Sequence, residues 1–469
     1  MKTNLRAALD ELDSIQGLHI IRELSELQHL ATDRTGAGAG FPLALVEPES
    51  TEEVQQIVRI CRKHSVALVP QGGRTGYAGG ACSMGEDLLL SLGRMNRILS
   101  LDPYLPALQV EAGCITRAVQ SYALEHGYYF PVDFASAGSS QIGGNAATNA
   151  GGIRLIRYGG MRQHVLGLKA VTGTGEILET NGHILKDNTG YDLRDLIVGS
   201  EGTLAIITEL TLSLTSPPPE SLVLLCALPD LSRILDLLGH CRKLGLDLHA
   251  FEFFDGNCLQ SVMQYNDLEN PFPELKFDQN SGWFCLLECT ASDTATEQLL
   301  ESEQLHQICL DVLPAQSDSG KKKFWSYREN ISESLSHGPV HKNDISIPLA
   351  SIPVYVQTLE AMLRQDYGDM KSFLFGHIGD GNIHINLKPL KGEGEGPQKE
   401  FSLRCKKFDE DNTHHILRFQ GSISAEHGIG LLKKDSLQKV RDDRYIRWMK
   451  EIKSAFDPDG ILNPGKIFS

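Results

Sequence analysis

Apolar and polar positions in the first part of the chain follow a helical rhythm and then a strand rhythm. Ser50 and Glu53 form a capping box, and apolar residues then recur at helical spacing as far as Cys61. An uninterrupted apolar run at 66–69 predicts a short buried strand. That strand leads directly into a glycine-rich segment at 70–80.

The same patterns predict the regular elements of the following residues. We expect a helix at 116–126 and strands at 88–92, 108–111, 165–172, 176–179 and 204–214. Three successive prolines at 217–219 interrupt both helices and central strands, so we place a domain boundary there.

Beyond the prolines, strands alternate with helices. Strands are predicted at 222–228, 250–254 and 283–289, with helices near 230–244 and 293–306. This order predicts an open sheet with helices on one face. We read 390–398 as a solvated loop, 408–453 as mainly helical and 457–465 as a turn-rich tail.

The composition indicates a large globular protein. Of the 469 residues, 41% are hydrophobic and 22% are charged, and the mean hydropathy is -0.19. Such a length predicts about two or three domains. No apolar run is long enough to span a membrane, and the acidic first residues predict a surface helix rather than a targeting segment.

Cysteine spacing and net charge restrict the compartment and the partners. The ten cysteines form no CxxC pair, which predicts reduced thiols and a cytoplasmic protein. The formal net charge of -16 argues against nucleic acid or an anionic membrane as the main partner. An anionic substrate would therefore require a local cationic pocket.

Two glycine-rich segments, 70–80 and 131–152, are compatible with a phosphate cradle and also with plain turns. Glycine admits positive φ, and successive backbone N–H groups form a nest for anionic oxygens. Neither segment matches GxGxxG, and no helical pattern follows either of them at once, which argues against a nicotinamide-binding unit. The residues alone leave both interpretations open.

A hairpin with two histidines carries the strongest local chemistry. The Asp-Gly pair at 380–381 predicts its turn, so that His377 and His384 can converge, while His384 and Asn386 share a face. Glu426 supplies a carboxylate further along the chain. Two histidines and a carboxylate suit catalytic zinc, and also iron or manganese, although a single histidine is more typically a hydrogen-bonded structural residue.

Several long motifs, at 70–80, 138–152, 186–193 and 199–204, resemble the FAD domain of the vanillyl-alcohol oxidase type of flavoprotein. Within that group the chain looks like the D-lactate, glycolate and D-2-hydroxyglutarate dehydrogenases, from about residue 41 to its end. The resemblance implies an α+β fold with a two-part FAD-binding domain at 1–216. A substrate or cap domain at 217–407 would contain an open antiparallel sheet, helices and the metal-binding hairpin, and a helical C-terminal segment at 408–469 would return to the flavin.

The resemblance implies that the two glycine loops wrap the pyrophosphate of FAD and that later residues lie beside the flavin. The implied contacts are Pro70, Gln71, Gly72, Gly73, Arg74, Thr75, Gly76, Gly138, Ser139, Gly143, Gly144, Thr148, Asn149, Gly151, Gly152, Glu201, Gly202, Ile206, Ile207 and Asn463. Arg74 stands where relatives often have Asn. Segment 70–80 lacks the His that covalent members use, so we expect non-covalent FAD.

The family pattern places metal ligands at His377, His384 and Glu426, with zinc as the expected metal. A metal ion lowers the pKa of a bound hydroxyl, as it does for water. Imidazole side chains generally titrate near neutral pH, so His427 is the candidate base that takes the hydroxyl proton as hydride leaves for the flavin.

Trp325, Arg328 and Ser332 lie at i, i+3 and i+7 of a predicted helix and therefore on one face. By itself, Arg328 is more typical of an exposed residue paired with a glutamate such as Glu329 or Glu333.

Arg328, Ser332 and Lys342 nevertheless resemble the carboxylate-binding residues of the D-2-hydroxyglutarate branch, and Asn386 and His427 complete the implied substrate site. A guanidinium fork and an ammonium together suit a dicarboxylate. This favours D-2-hydroxyglutarate, or D-malate, over D-lactate and glycolate.

The family suggests electron-transfer flavoprotein or a quinone as electron acceptor. The oligomeric state is left open, with a homodimer compatible, and so is reactivity with oxygen. A rival of another class is a non-catalytic flavin-binding subunit of a larger complex. Such a subunit would lack the metal and base residues, which are present here.

Overall fold

The chain folds into two units in a computed structural model that describes residues 3–38, 40–275, 282–390 and 395–468. The first unit comprises Met1–Gly152, Gly159–Pro217 and Glu426–Ser469, and the second comprises Ile153–Tyr158 and Pro218–Ala425. The first unit therefore combines the start and the end of the chain. Residues 408–425, expected to belong to the C-terminal segment, pack with the second unit.

The strands are short in the first unit and longer in the second. In chain order they are β1 (His19–Ile21), β2 (Ala44–Glu47), β3 (Leu68–Gln71), β4 (Leu88–Ser91), β5 (Ile98–Asp102), β6 (Ala107–Glu111), β7 (Val165–Thr172), β8 (Ile177–Glu179), β9 (Ala205–Ser213), β10 (Ser221–Leu228), β11 (Leu248–Asp255), β12 (Trp283–Thr290), β13 (Asp311–Ala315), β14 (His341–Ser346), β15 (Met370–Gly376) and β16 (Asn382–Pro389).

The helices vary from a single turn to 24 residues. They are α1 (Thr3–Leu12), α2 (Leu24–Leu30), α3 (Thr51–His64), α4 (Thr116–Glu125), α5 (Ile142–Thr148), α6 (Leu155–Tyr158), α7 (Met161–His164), α8 (Leu193–Ile197), α9 (Leu231–Leu244), α10 (Gly256–Asn266), α11 (Thr294–Leu300), α12 (Glu303–Ile308), α13 (Asp318–Glu329), α14 (Ile331–Ser334), α15 (Ile352–Asp366), α16 (Glu395–Arg418), α17 (Lys434–Val440) and α18 (Asp443–Phe456), with 3₁₀ turns at Leu349–Ser351 and Ile378–Asp380.

Two sheets form the first unit. The four-stranded sheet has the order β1-β2-β4-β3, with β2 and β3 parallel to β4. The antiparallel five-stranded sheet has the order β5-β6-β9-β7-β8. The predicted amphipathic helix is α3, which begins after the Ser50 cap and buries Val54, Ile57, Val58 and Cys61 in the core of this unit.

The second glycine-rich segment contains helix α5, so the expectation that no helix follows the glycine loops at once is wrong for this loop. Glycine is a poor helix former, and Gly143 and Gly144 therefore hid the helix in the sequence. Close packing explains Gly143, because a Cβ there would lie 2.6 Å from the Cβ of Ala112. Tertiary contact outweighs local propensity here.

An antiparallel seven-stranded sheet, in the order β13-β10-β12-β11-β15-β16-β14, forms the centre of the second unit. Helices cover both of its faces, so the expectation of one covered face is wrong. Val223 and Leu225 share a core with Trp325 of α13, whereas Cys226, on the opposite face, lies near Cys241 of α9. The continuous apolar run of β10 reflects burial on both sides.

The chain from Glu395 onward is mainly helical, with one long interruption. Of the loop predicted at 390–398, residues 391–394 lie outside the described residues, and from Glu395 onward the segment is part of α16 rather than a loop. Residues 419–433 separate α16 from α17. Among the described residues, the helices are too short or too polar to span a bilayer.

Candidate active site

The β15–β16 hairpin brings two histidines together in the second unit. His377 directly follows β15, the 3₁₀ turn Ile378–Asp380 reverses the chain, and His384 lies on β16. The ring centroids of His377 and His384 are 5.4 Å apart, and a nitrogen of each ring lies within 4.8 Å of the other.

Each imidazole faces a buried carboxylate through Nδ1. His377 Nδ1 lies 2.8 Å from Oε1 of Glu252, and His384 Nδ1 lies 3.5 Å from Oδ1 of Asp344. Burial lowers the pKa of His384, and the Asp344 carboxylate partly opposes this effect. In each ring, Nε2 is then the nitrogen that a metal ion would meet.

Arg328 lies inside the second unit and pairs with Glu252 rather than with the glutamates near it in the chain. Its Nη2 is 2.7 Å from Oε2 of Glu252, and its guanidinium lies over the ring of Phe375 at 5.0 Å. The ring of His384 is also 5.0 Å from Phe375. The guanidinium and the imidazole therefore both lie beside the same aromatic ring.

Sequence reasoning missed Glu252, although a signal was present. It is the single charged residue in the aromatic run Phe251–Phe254. Burial by itself would raise the pKa of the Glu252 carboxyl, but the neighbouring His377 and Arg328 outweigh burial and the pKa is lowered.

Lys342 and Asn386 lie opposite each other on β14 and β16. Asp344 and His384 form the next pair on the same face. Asn386 is 2% exposed, and its Nδ2 has no hydrogen-bond acceptor among the described residues. A buried amide of this kind is a candidate contact for a ligand.

Ser332 is placed differently from the sequence prediction. Helix α13 ends at Glu329, and Ser332 lies exposed in the short helix α14. Helical spacing therefore does not put Ser332 on the face of Arg328. Asn330, in the junction, caps the end of α13 and leads into α14.

Asp344 orders the chain immediately before Glu426. Its Oδ1 accepts a hydrogen bond from Nδ2 of Asn382 at 2.7 Å, and its Oδ2 accepts one from the backbone N–H of Ala425 at 3.2 Å. Ala425 is the last residue of the second unit and Glu426 is the next residue in the chain. Asp344 was not recognised from the sequence.

In the first unit the two glycine loops pack directly on one another. The Cα of Gly72 approaches Gly144, and the backbone of Gly73 approaches Ser139. Space around Gly138 is open, whereas Gly152 packs against the backbone of Asp133. The loops thus form one continuous glycine-rich backbone surface.

The polar residues of these loops hold main-chain atoms. Gln71 Nε2 donates to the carbonyls of Leu30 and Ala81 at 2.8 and 2.7 Å. Arg74, at φ 53°, donates from Nη1 to the carbonyl of His29 at 2.6 Å.

The other predicted contacts in the first unit fall into two groups. Pro70 lies on β3, while Thr75, Gly76 and Gly151 lie in loops. Thr148 Oγ1 donates a hydrogen bond to the carbonyl of Gly144 at 3.0 Å, and Asn149 Oδ1 accepts one from the backbone N–H of Arg162 at 3.0 Å. Gly202 packs against Pro70, and Ile206 and Ile207 are buried in the core of this unit.

Glu201 and Asn463 join three parts of the first unit. The Glu201 carboxylate accepts hydrogen bonds from the backbone N–H groups of Ile429 and Gly430 at 2.8 and 2.7 Å. Asn463 Nδ2 donates to the carbonyls of Gly80 and Glu201 at 2.9 and 2.8 Å. The side chain of Glu201 therefore anchors the loop that follows Glu426 and His427, and burial raises its pKa.

His427 lies beside the first glycine loop. Its ring centroid is 5.1 Å from that of Tyr77, in the same unit. The candidate base is thus carried by the unit that contains the glycine loops.

Two protein families match the chain. The family described as FAD linked oxidases, C-terminal domain, matches residues 217–467, and a FAD binding domain matches 42–181. A D-2-hydroxyglutarate dehydrogenase of Xanthomonas citri pv. viticola is 41% identical over 461 residues, which are 97% of this chain and 95% of the relative. One of Stutzerimonas stutzeri is 40% identical and the match covers 99% of both chains.

A solved structure of similar fold is the 4-ethylphenol oxidase from Gulosibacter chungangensis. It superposes with a TM-score of 0.76 at 17% identity, over 100% of this chain and 98% of the oxidase. The likeness confirms the two-domain α+β fold expected from the sequence and concerns the fold alone.

Proposed function

Because the chain belongs to the family of FAD-linked oxidases and is an FAD-dependent dehydrogenase, we propose that it oxidises D-2-hydroxyglutarate to 2-oxoglutarate. The observation that carries the proposal is the collection of two cations, two imidazoles and a buried amide beside one face of the seven-stranded sheet. This set contains Arg328, Lys342, Asn386, His377 and His384.

Charge and position support a dicarboxylate substrate. Arg328 offers a guanidinium fork, and its Nε has no hydrogen-bond acceptor among the described residues. Lys342 lies two strands away from Phe375, which the guanidinium covers. Two separated cations match a substrate with two carboxylates better than a substrate with one. D-malate is the alternative dicarboxylate that shares this chemistry.

His377, His384 and Glu426 would hold a divalent metal ion, for which we propose zinc. Two converging imidazoles, each oriented through Nδ1 by a carboxylate, support this assignment. Glu426 directly follows Ala425, whose N–H is held by the same Asp344 that faces His384.

The glycine-rich backbone surface and three buried polar atoms support a non-covalent FAD site in the first unit. Among the described residues, Gln141 Oε1, Ser200 Oγ and Asn463 Oδ1 have no hydrogen-bond partner. Buried polar atoms of this kind require a partner, and a dinucleotide supplies donors and acceptors. Electron-transfer flavoprotein or a quinone is the proposed acceptor.

Different residues of the chain would bind the substrate and remove its proton. FAD, held by the glycine loops, would supply a hydride acceptor, and a divalent ion at His377, His384 and Glu426 would supply a Lewis acid that lowers the pKa of the substrate hydroxyl. His427 would remove the hydroxyl proton as the hydride departs, so that the C2–O bond becomes a carbonyl. Arg328 and Lys342 would hold the carboxylates and fix the face of C2.

Anaerobic reduction of the flavin tests this function. The yellow protein is mixed with D-2-hydroxyglutarate, L-2-hydroxyglutarate, D-malate, D-lactate or glycolate, and flavin absorbance is followed. We expect fast bleaching by D-2-hydroxyglutarate and none after the metal has been removed with a chelator. Faster bleaching by D-lactate or glycolate would contradict the dicarboxylate assignment, and no bleaching at all would favour a non-catalytic subunit.

A further inference from the structure

Glu252 is a carboxylate placed in the interior of the second unit. It is 1% exposed and lies on β11 among the aromatic residues Phe251, Phe253 and Phe254. A buried carboxylate is strongly destabilising unless positive or donating groups compensate its lost hydration, and removal of such a partner leaves an uncompensated buried charge. Glu252 therefore requires partners that compensate its buried charge.

The two oxygens of Glu252 have different partners from different elements. Oε1 lies 2.8 Å from Nδ1 of His377, which follows β15. Oε2 lies 2.7 Å from Nη2 of Arg328 on α13. One carboxylate thus connects a histidine of the hairpin to the buried arginine.

The contact to His377 determines which ring nitrogen is protonated. A carboxylate beside Nδ1 accepts a hydrogen bond from Nδ1–H, so Nε2 is left as the unprotonated, basic nitrogen of the neutral ring. Carboxylate partners of this kind raise the basicity of a ligating imidazole and fix its plane.

The ion pair with Glu252 accompanies a guanidinium placed over Phe375, at 5.0 Å from the ring. It is an electrostatic contact, because neither Nη2 nor Oε2 makes a hydrogen bond among the described residues. The neighbouring negative charge allows a guanidinium to remain buried, at 6% exposure. Because Arg328 Nε has no acceptor among the described residues, the orientation leaves a donor for an incoming carboxylate.

We propose that Glu252 is a positioning residue for both halves of the site, holding His377 for the metal ion and Arg328 for a substrate carboxylate. The inference rests on the proposed function, because it requires that His377 is a ligand. It adds a residue that neither binds the substrate nor coordinates the metal.

Glu252→Gln tests the inference, and Glu288→Gln is the matched control. Glu288 is another buried carboxylate of the same sheet, paired with Arg154 at 2.7 Å and not with His377. Zinc affinity is measured on the FAD-loaded proteins by competition with a chelator. We expect the zinc Kd of Glu252→Gln to rise about 10- to 100-fold, while that of Glu288→Gln stays within about threefold.

Two further readouts separate positioning from general destabilisation. The KM for D-2-hydroxyglutarate should rise in Glu252→Gln at saturating zinc because Arg328 loses its orientation. The visible spectrum of cobalt(II) bound in place of zinc should also change in Glu252→Gln and stay the same in Glu288→Gln. If Glu252→Gln does not fold, Glu252→Asp, which withdraws the carboxylate by one methylene, should weaken zinc in the same direction.

The inference would be overturned if the wild-type protein binds zinc and Glu252→Gln shows the same zinc affinity and the same KM. Wild-type protein without zinc affinity would instead overturn the proposed metal site. The two failures are therefore distinguishable.

Discussion

Lys342 and Asn386 occupy directly opposite positions on the antiparallel strands β14 and β16. Their side chains therefore share one face of the sheet with Asp344 and His384, the next pair along the same two strands. An ammonium group is thus held beside a buried amide and one pair away from an imidazole. This arrangement makes binding of a substrate carboxylate by Lys342 a testable role.

Replacement of Lys342 by Ala should reduce kcat/KM for D-2-hydroxyglutarate by about 10- to 100-fold, because a charge-assisted hydrogen bond to one carboxylate is lost. Activity on D-lactate should fall by less than about threefold. Steady-state kinetics on both substrates, with exposed Lys322 changed to Ala as control, measures this. Equal losses on the two substrates would remove Lys342 from carboxylate binding.

Glu426→Ala should abolish metal binding and lower kcat at least about 100-fold, while FAD remains bound, because the proposed metal ligands do not include residues of the glycine loops. Zinc content by atomic emission and the flavin-to-protein absorbance ratio check the two parts. Glu451→Ala, on exposed positions of α18, is the control. Full activity in Glu426→Ala would end the metal proposal.

Glu201→Gln should lower kcat by about 10-fold or more at unchanged FAD content. An amide has one acceptor oxygen, whereas the carboxylate accepts from both Ile429 and Gly430, so the loop behind His427 loses one anchor. The measurement is kcat per bound flavin. Loss of FAD with kcat per flavin unchanged would show instead that the Glu201 side chain serves the cofactor.

FAD should dissociate on acid precipitation, because segment 70–80 contains no His or Cys to bond it covalently. Absorbance of the supernatant and the pellet decides the question. Yellow colour that stays with the pellet would show a covalent bond to another residue.

Asp255 should make the second unit less stable as pH rises from about 4 to about 6. It accepts the N–H groups of Cys258 and Leu374 at 2.8 and 2.9 Å, yet burial raises the pKa of its carboxyl to about 6. The folded state therefore binds the proton more tightly than the unfolded state, whose pKa is about 3.9. The stabilisation that the protonated Asp255 carboxyl contributes is fully present below the unfolded-state pKa. It is lost as the pH rises through the folded-state pKa.

The change in stability amounts to roughly 3 kcal/mol at most. The Tm of the wild type relative to Asp255→Asn, measured by circular dichroism between pH 4 and pH 7, should fall as the pH rises. A constant difference in Tm would contradict the raised pKa.

Local order was predictable where burial and capping follow the chain. Helix α3 begins after the Ser50 cap, and β7 occupies the predicted residues 165–172. Helix α5 was missed because close packing on Ala112, which is distant in sequence, requires Gly143 inside the helix. The helix expected to carry both Arg328 and Ser332 ends between them, at Glu329.

The sequence by itself determined the family, the glycine loops and the histidine hairpin, because these depend on residue types at short spacings. Only the tertiary structure decided the partners of the buried charges. Glu252 lies 76 positions before Arg328 and 125 before His377 in the numbering, and the strand order β11-β15-β16-β14 brings those elements together. Pairing between strands and burial of charge are long-range interactions, and no local periodicity encodes them.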